Sequence, residues 1–168
     1  MNKTMKYDHL KFLIERFDHY YDSINNKGVF YITLNIFLFG GICITYTTYQ
    51  ASITNSTWYC LLAMLICCFG SMLFTIRALR PYMKDNHVND SLNSLVFYGG
   101  IAKHTANLYL EKFDRETEDT IVVDMQRQVH CLAIGLHTKF KRLKYASYLL
   151  TVQFCLMFPL FFLITKII

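Results

Sequence analysis

Residues 28–76 contain no Asp, Glu, Lys, Arg or His. A helix that crosses a bilayer needs ~20 predominantly apolar residues. The run is therefore long enough for two crossings and a short turn. The turn belongs at residues 51–57, Ala-Ser-Ile-Thr-Asn-Ser-Thr, the most polar part of the run. Composition points the same way. Charged residues make up 17% of the chain and apolar residues 54%, whereas soluble domains average about 25% charged. The excess lies in blocks, as membrane spans require.

The first span is placed at residues 28–50, with Tyr31 and Tyr49 at its two interfaces. Gly40 and Gly41 offer a close approach to another helix. Asn35, near the same end as Tyr31, reads either as an interhelical hydrogen bond or as a ligand- or ion-path contact. The second span is residues 58–79, opened by Trp58 and Tyr59, with Gly70 and Ser71 as a small-residue contact site. It leaves through Arg77, Ala78, Leu79, Arg80 and Pro81. The third span is residues 145–165, with Pro159 late in it.

Flanking charge orients these spans. Lys27, the stretch from Arg77 to Lys84, and the cluster Lys139, Lys141, Arg142 and Lys144 all belong on the cytoplasmic side. Residues 1–27 and 80–144 are then inside, and residues 51–57 and the C-terminus are outside. The expected fold class is an all-α membrane protein: three transmembrane helices with a small cytoplasmic helical region between the second and third.

Within residues 1–27, Leu10, Leu13, Ile14, Phe17, Tyr20, Tyr21 and Ile24 recur at three and four, one apolar face of a helix. That face suits either the membrane surface or the cytoplasmic helices. Asn25, Asn26 and Gly28 suggest a break before the first span. In the cytoplasmic region, residues 85–91 read as a loop and residues 102–113 as a helix. Thr117 is placed as the N-cap of a helix over 118–144, which either ends there or continues into the last span, with Thr120 where a capping box usually has Glu. Met125, Val129, Leu132, Leu136, Phe140 and Leu143 form its apolar stripe, and Asp124, Gln128, Thr138, Lys139 and Arg142 lie off it.

Little in the chain speaks for catalysis. There is no G-x-S-x-G, P-loop or G-x-G-x-x-G pattern. His130 and His137 are spaced poorly for a metal, and no CxxC pair exists. Five of the six cysteines fall in expected spans and read as small apolar filler. No enzyme activity, cofactor or metal is expected. An anionic ligand would instead find Arg80, Lys103, Arg127, Lys139 and Arg142. Phe97 and Tyr98 suit stacking on a base, and Gln128 and Asn93 suit reading its edges. Each has an alternative role in packing or headgroup contact.

Three segments together resemble a known family. The first is Asn26, Lys27 and Gly28 entering a span that continues through Leu34 and Asn35. The second is the Arg77–Pro81 exit followed by Ser94, Leu95, Val96, Phe97, Tyr98, Gly99, Gly100, Ile101 and Ala102. The third is Gln128 to Ala133, then Lys139 to Leu143 leading into the last span. In that order they resemble the transmembrane effector of the Pycsar antiphage system, the PycTM family. The chain departs from the pattern at Asn26, where an acid is expected, and near Gly100, where a bulkier polar residue is expected.

The resemblance implies an effector in the bacterial inner membrane, with the outer turn and the C-terminus in the periplasm. It implies a partner cyclase that makes a cyclic pyrimidine nucleotide, cyclic CMP (cCMP) or cyclic UMP (cUMP), and a response that impairs the membrane and ends in abortive infection. Residues 80–144 are too few for an ordinary cyclic-nucleotide-binding β-roll, so direct binding would use a small helical unit or a seam between copies. The expected contacts are Arg80, Lys103, Lys139 and Arg142 for phosphate, Phe97 and Tyr98 for stacking, and Gln128 for a base edge. The expected partners are that nucleotide, the lipid bilayer and further copies of the chain, and no nucleic acid polymer. The rival expectation is a non-catalytic membrane subunit whose 118–144 helix docks another protein.

Overall fold

The computed structural model describes residues 3–81 and 94–165. The expected loop at 85–91 and Asn93 lie outside the described residues. Among the described residues every regular element is helical: α1 (Lys3–Tyr49), a 3₁₀ turn (Gln50–Ser52), α2 (Asn55–Leu79), α3 (Tyr98–Ile101), α4 (Ala106–Arg115) and α5 (Glu118–Thr165). Three of these, α1, α2 and α5, contain segments long and apolar enough to cross a membrane. The chain divides into two units. Residues 1–21 and 81–137 form the first, and residues 22–80 and 138–168 the second.

In the second unit the buried positions on α2 are Thr57, Leu61, Met64, Cys68, Ser71, Thr75 and Ala78. They alternate by four and three, a 3.5-residue repeat that keeps one seam facing its neighbours. The same spacing runs along α1 through Gly28, Asn35, Leu38 and Ile42. It runs along α5 through Lys139, Leu143, Ala146, Leu150, Gln153 and Leu160. Ile42, Leu61, Met64 and Leu160 form the apolar cluster near the hairpin turn. The opposite faces carry the exposed apolar side chains, Phe37, Ile44, Tyr59, Ile66 and Phe158 among them. Such faces suit lipid, since hydrocarbon chains solvate them without penalty.

Two glycines set how closely the helices approach. A Cβ on Gly28 would lie 2.6 Å from Leu79 Cδ2, and one on Gly70 would lie 2.9 Å from Leu149 Cδ1. Gly40 and Gly41 meet no atom within 4 Å, so the approach expected there is made at Gly28 instead. The break expected near Asn25 is absent: α1 is continuous, and both asparagines sit exposed on it. The hairpin turn is also tighter than expected. Thr54 accepts from the Thr57 N–H and starts α2 at Asn55.

In the first unit α1 presents its expected apolar face. Leu10 is buried, and Leu13, Ile14, Phe17, Tyr20 and Tyr21 are half-buried. The Tyr21 hydroxyl donates to the Leu132 carbonyl at 3.1 Å, so this face packs on α5. Helix α4 starts at Ala106, later than the expected 102, because Thr105 caps it by accepting from the Leu108 N–H. At the start of α5, Thr117 N–H donates to Thr120 Oγ1 at 3.0 Å, and Thr120 N–H donates to Thr117 Oγ1 at 3.4 Å. This is a reciprocal capping box with Thr in the Glu position. Helix α5 then runs unbroken through the expected entry to the third span and through Pro159.

Candidate functional site

The polar side chains of the second unit converge on its seam. Asn35 is fully buried, and its Nδ2 donates to the Tyr31 carbonyl at 2.8 Å and to Ser71 Oγ at 3.0 Å. Ser71 Oγ in turn donates to the Ala146 carbonyl at 3.0 Å. One relay thus ties α1, α2 and α5 together. Interhelical hydrogen bonds in membranes average about 0.6 kcal/mol, so the two interhelical links contribute on the order of 1 kcal/mol.

That gain is offset within the same seam. Gln153 is fully buried, and neither its Oε1 nor its Nε2 makes a hydrogen bond by geometry. Its polar neighbour Cys68 offers only a weak thiol contact. Asn35 Oδ1 is also unbonded. An unsatisfied polar group in hydrocarbon costs several kcal/mol, so the three unbonded atoms outweigh the relay. The seam holds polarity that its own geometry does not satisfy.

Hydroxyls elsewhere in the spans behave differently. Thr33, Thr45, Thr47 and Thr151 each donate to a carbonyl one turn back in their own helix. Thr75, inside the seam, does the same with Ser71. Gln153 was not singled out in the sequence. The signal was present, as an amide well inside the third span, but attention to ionisable residues passes over it.

At the end of α2, Arg142 Nη1 donates to the Arg77 carbonyl at 2.7 Å, and Lys139 Nζ donates to the Leu79 carbonyl at 3.3 Å. These carbonyls lack partners within their own helix, so both cations serve as its C-terminal caps. Lys139 is 5% exposed. Burial first, and then the charge of Arg142, lower its pKa from the ordinary lysine value. The expected stripe on α5 is corrected here. Lys139, placed off it, occupies the buried register, and Phe140, placed on it, is 38% exposed. Arg80 is exposed and closes α2 through its backbone N–H to the Ile76 carbonyl.

The other four expected ligand residues belong to the first unit. Phe97 and Tyr98 form a tilted ring pair, with centroids 4.7 Å apart and planes at 56°. A Cβ on Gly99 would lie 2.5 Å from Phe97 Cε1, so this glycine clears room for the ring. Tyr98 is exposed, Lys103 is exposed in the turn after α3, and Gln128 is half-buried on α5.

The turn that presents the two rings hangs from α5. Asp124 Oδ2 accepts from Ser94 Oγ and from the Leu95 N–H, both at 2.9 Å, and from the Val96 N–H at 3.2 Å. Ser94 Oγ then accepts from the Phe97 N–H at 2.9 Å. A groove of about 420 Å³ lies beside this turn. Its walls include Glu116, Asp119, Asp124 and Arg127. Three carboxylates against one guanidinium make it a poor phosphate site; of the cations read as available to an anionic ligand only Arg127 lines it. Periodicity marks Asp124 only as an off-stripe polar residue; its role depends on a contact between residues far apart in sequence.

The family model described as Pycsar effector protein domain matches residues 9–166. No curated protein and no solved structure matches the chain.

Proposed function

The chain belongs to the Pycsar effector family, an antiphage defence family, and on that premise we propose that it answers a cyclic pyrimidine nucleotide by impairing the inner membrane. The nucleotide, cCMP or cUMP, comes from a partner cyclase, and the outcome is abortive infection. The protein acts without catalysis. Sensing belongs to the cytoplasmic helical region, and the response belongs to the three spans, working as an assembly of several copies.

The family match supports the role. The observation that carries the mechanism is the seam of the second unit, which leaves buried amide groups unbonded. A resting bundle held by packing but carrying this cost is poised between two states. A ligand moves such an equilibrium only through its differential affinity for the two states. Shifting it from 1:99 to 99:1 takes about 10⁴-fold tighter binding to the active state. Tyr98 and Lys103, both exposed, and the half-buried Phe97 and Gln128 are proposed contacts in the first unit. Arg80, Lys139 and Arg142 are proposed phosphate contacts in the second. Because Lys139 and Arg142 already cap α2, ligand engagement there would compete with those caps and loosen the helix end.

The test is membrane potential, read with a potential-sensitive dye in cells that express the protein with and without a cyclase producing cCMP or cUMP. Depolarisation is expected only when nucleotide is made. Equal depolarisation in cells lacking the cyclase would defeat the proposal.

A further inference from the structure

We propose that Gln153 and Asn35, with Ser71, line the water-filled path that ions take through the membrane in the active state. The inference rests on the functional reading above and names the residues that carry it out. Besides Thr57 and Lys139 near the ends of the bundle, the buried 3.5-residue register carries four polar side chains: Asn35 on α1, Ser71 and Thr75 on α2, and Gln153 on α5. The hydroxyls are satisfied inside the resting bundle. The amide atoms Asn35 Oδ1, Gln153 Oε1 and Gln153 Nε2 are not.

Two destinations are open to a buried amide that leaves its seam. Turning to lipid leaves it as poorly satisfied as before, because hydrocarbon offers no donor or acceptor. The threonines of the outer faces show the difference, since each closes back on its own helix. A Gln amide in the middle of α5 has no such closure here. Turning to water satisfies all three atoms at once. The amides therefore favour whichever arrangement brings water to the seam, and three helices from one chain enclose no lumen, so that arrangement joins several copies. The path carries no fixed charge from residues 28–76. Its polarity comes from amides and hydroxyls, which suits weakly selective passage of small monovalent ions.

The full-length protein is reconstituted in vesicles of phosphatidylethanolamine and phosphatidylglycerol. Ion flux and reversal potential under a KCl gradient are read with cCMP, with cUMP and with neither. Gln153→Leu is expected to keep nucleotide binding by calorimetry and to lose nucleotide-dependent flux by roughly tenfold or more. Gln153→Glu and Gln153→Lys are expected to move the reversal potential in opposite directions, towards cation and anion selectivity. A merely structural role would not produce that split. If wild type conducts and all three variants conduct with wild-type flux and reversal potential, this inference is overturned while the functional reading stands. If Gln153 instead pairs with an amide of another copy, Gln153→Leu disperses the assembly and the charged variants show no selectivity split, which also overturns it. A wild type that conducts with neither nucleotide overturns the functional reading, and this inference with it.

Discussion

Asp124 holds the Phe97–Tyr98 turn through one carboxylate oxygen that accepts three hydrogen bonds. Removing a charged acceptor from such a turn strands partly buried donors, at about 1–3 kcal/mol. Asp124→Ala is expected to destabilise the first unit by that amount and to weaken binding of cCMP or cUMP, measured by hydrogen exchange at Leu95 and Val96 and by calorimetry. Unchanged exchange there would show that the turn stands without its anchor. Lys139 makes a second prediction at this scale. Its pKa is lowered in the folded protein by burial and then by Arg142. The unfolded chain thus binds more protons between that lowered value and the ordinary 10.5. Stability must therefore rise with pH across that window. Lys139→Met is expected to flatten the rise, read from thermal unfolding in detergent at a series of pH values. An equally steep rise in the variant would assign it to another group. Hydropathy assigns lysine to the surface, and only the 3.5-residue register of the folded seam brings Lys139 inside.

Helices α1 and α2 approach closely where Gly28 faces Leu79, and the available space decides which substitutions that crossing accepts. An added Cβ would meet Leu79 Cδ2 at 2.6 Å. That atom ends a flexible side chain, so Gly28→Ala requires only a rotamer change. The change also gains up to about 1 kcal/mol of helix propensity, so its net effect should be within about 1 kcal/mol of zero. Gly28→Leu has no such escape and is expected to cost about 1–3 kcal/mol by overpacking. Leu79→Ala in the same chain should restore part of the loss. Steric trapping or detergent denaturation measures the set, and no rescue in the double variant would place the strain elsewhere. Adjacent glycines in a span suggest close packing, which points to Gly40 and Gly41. The other small-residue pair, Gly70 and Ser71, does meet α5. A glycine's lack of a side chain shows only that approach is possible, and the partner's register shows where it happens. The long α5 and its Thr117 cap were legible because caps and periodicity are local. The candidate ligand residues were legible only as residue types, and Lys139 and Arg142 have partners on α2, three-dimensional neighbours that spacing does not reveal.

At the scale of the molecule, three segments long and apolar enough to cross a membrane were readable directly from hydropathy, while orientation rests on charge. Arg77 and Arg80 close α2, Lys139, Lys141, Arg142 and Lys144 precede the last apolar segment, and residues 51–57 carry no charge. On the positive-inside bias all six cations are expected in the cytoplasm. Caps from Arg142 and Lys139 to the end of α2 bring two of these clusters together in the fold, so they share one side of the bilayer. In a background with all six cysteines replaced, Ser52→Cys is expected to react with a membrane-impermeant maleimide in intact cells. His137→Cys, on an exposed position of α5, is expected to react only after permeabilisation. Labelling of the His137 position in intact cells would invert the topology. The consequence reaches the proposed function, in which the nucleotide is made in the cytoplasm. Phe97, Tyr98, Lys103 and Gln128 meet it only if their region lies inside, so an inverted protein could not sense the nucleotide through these residues.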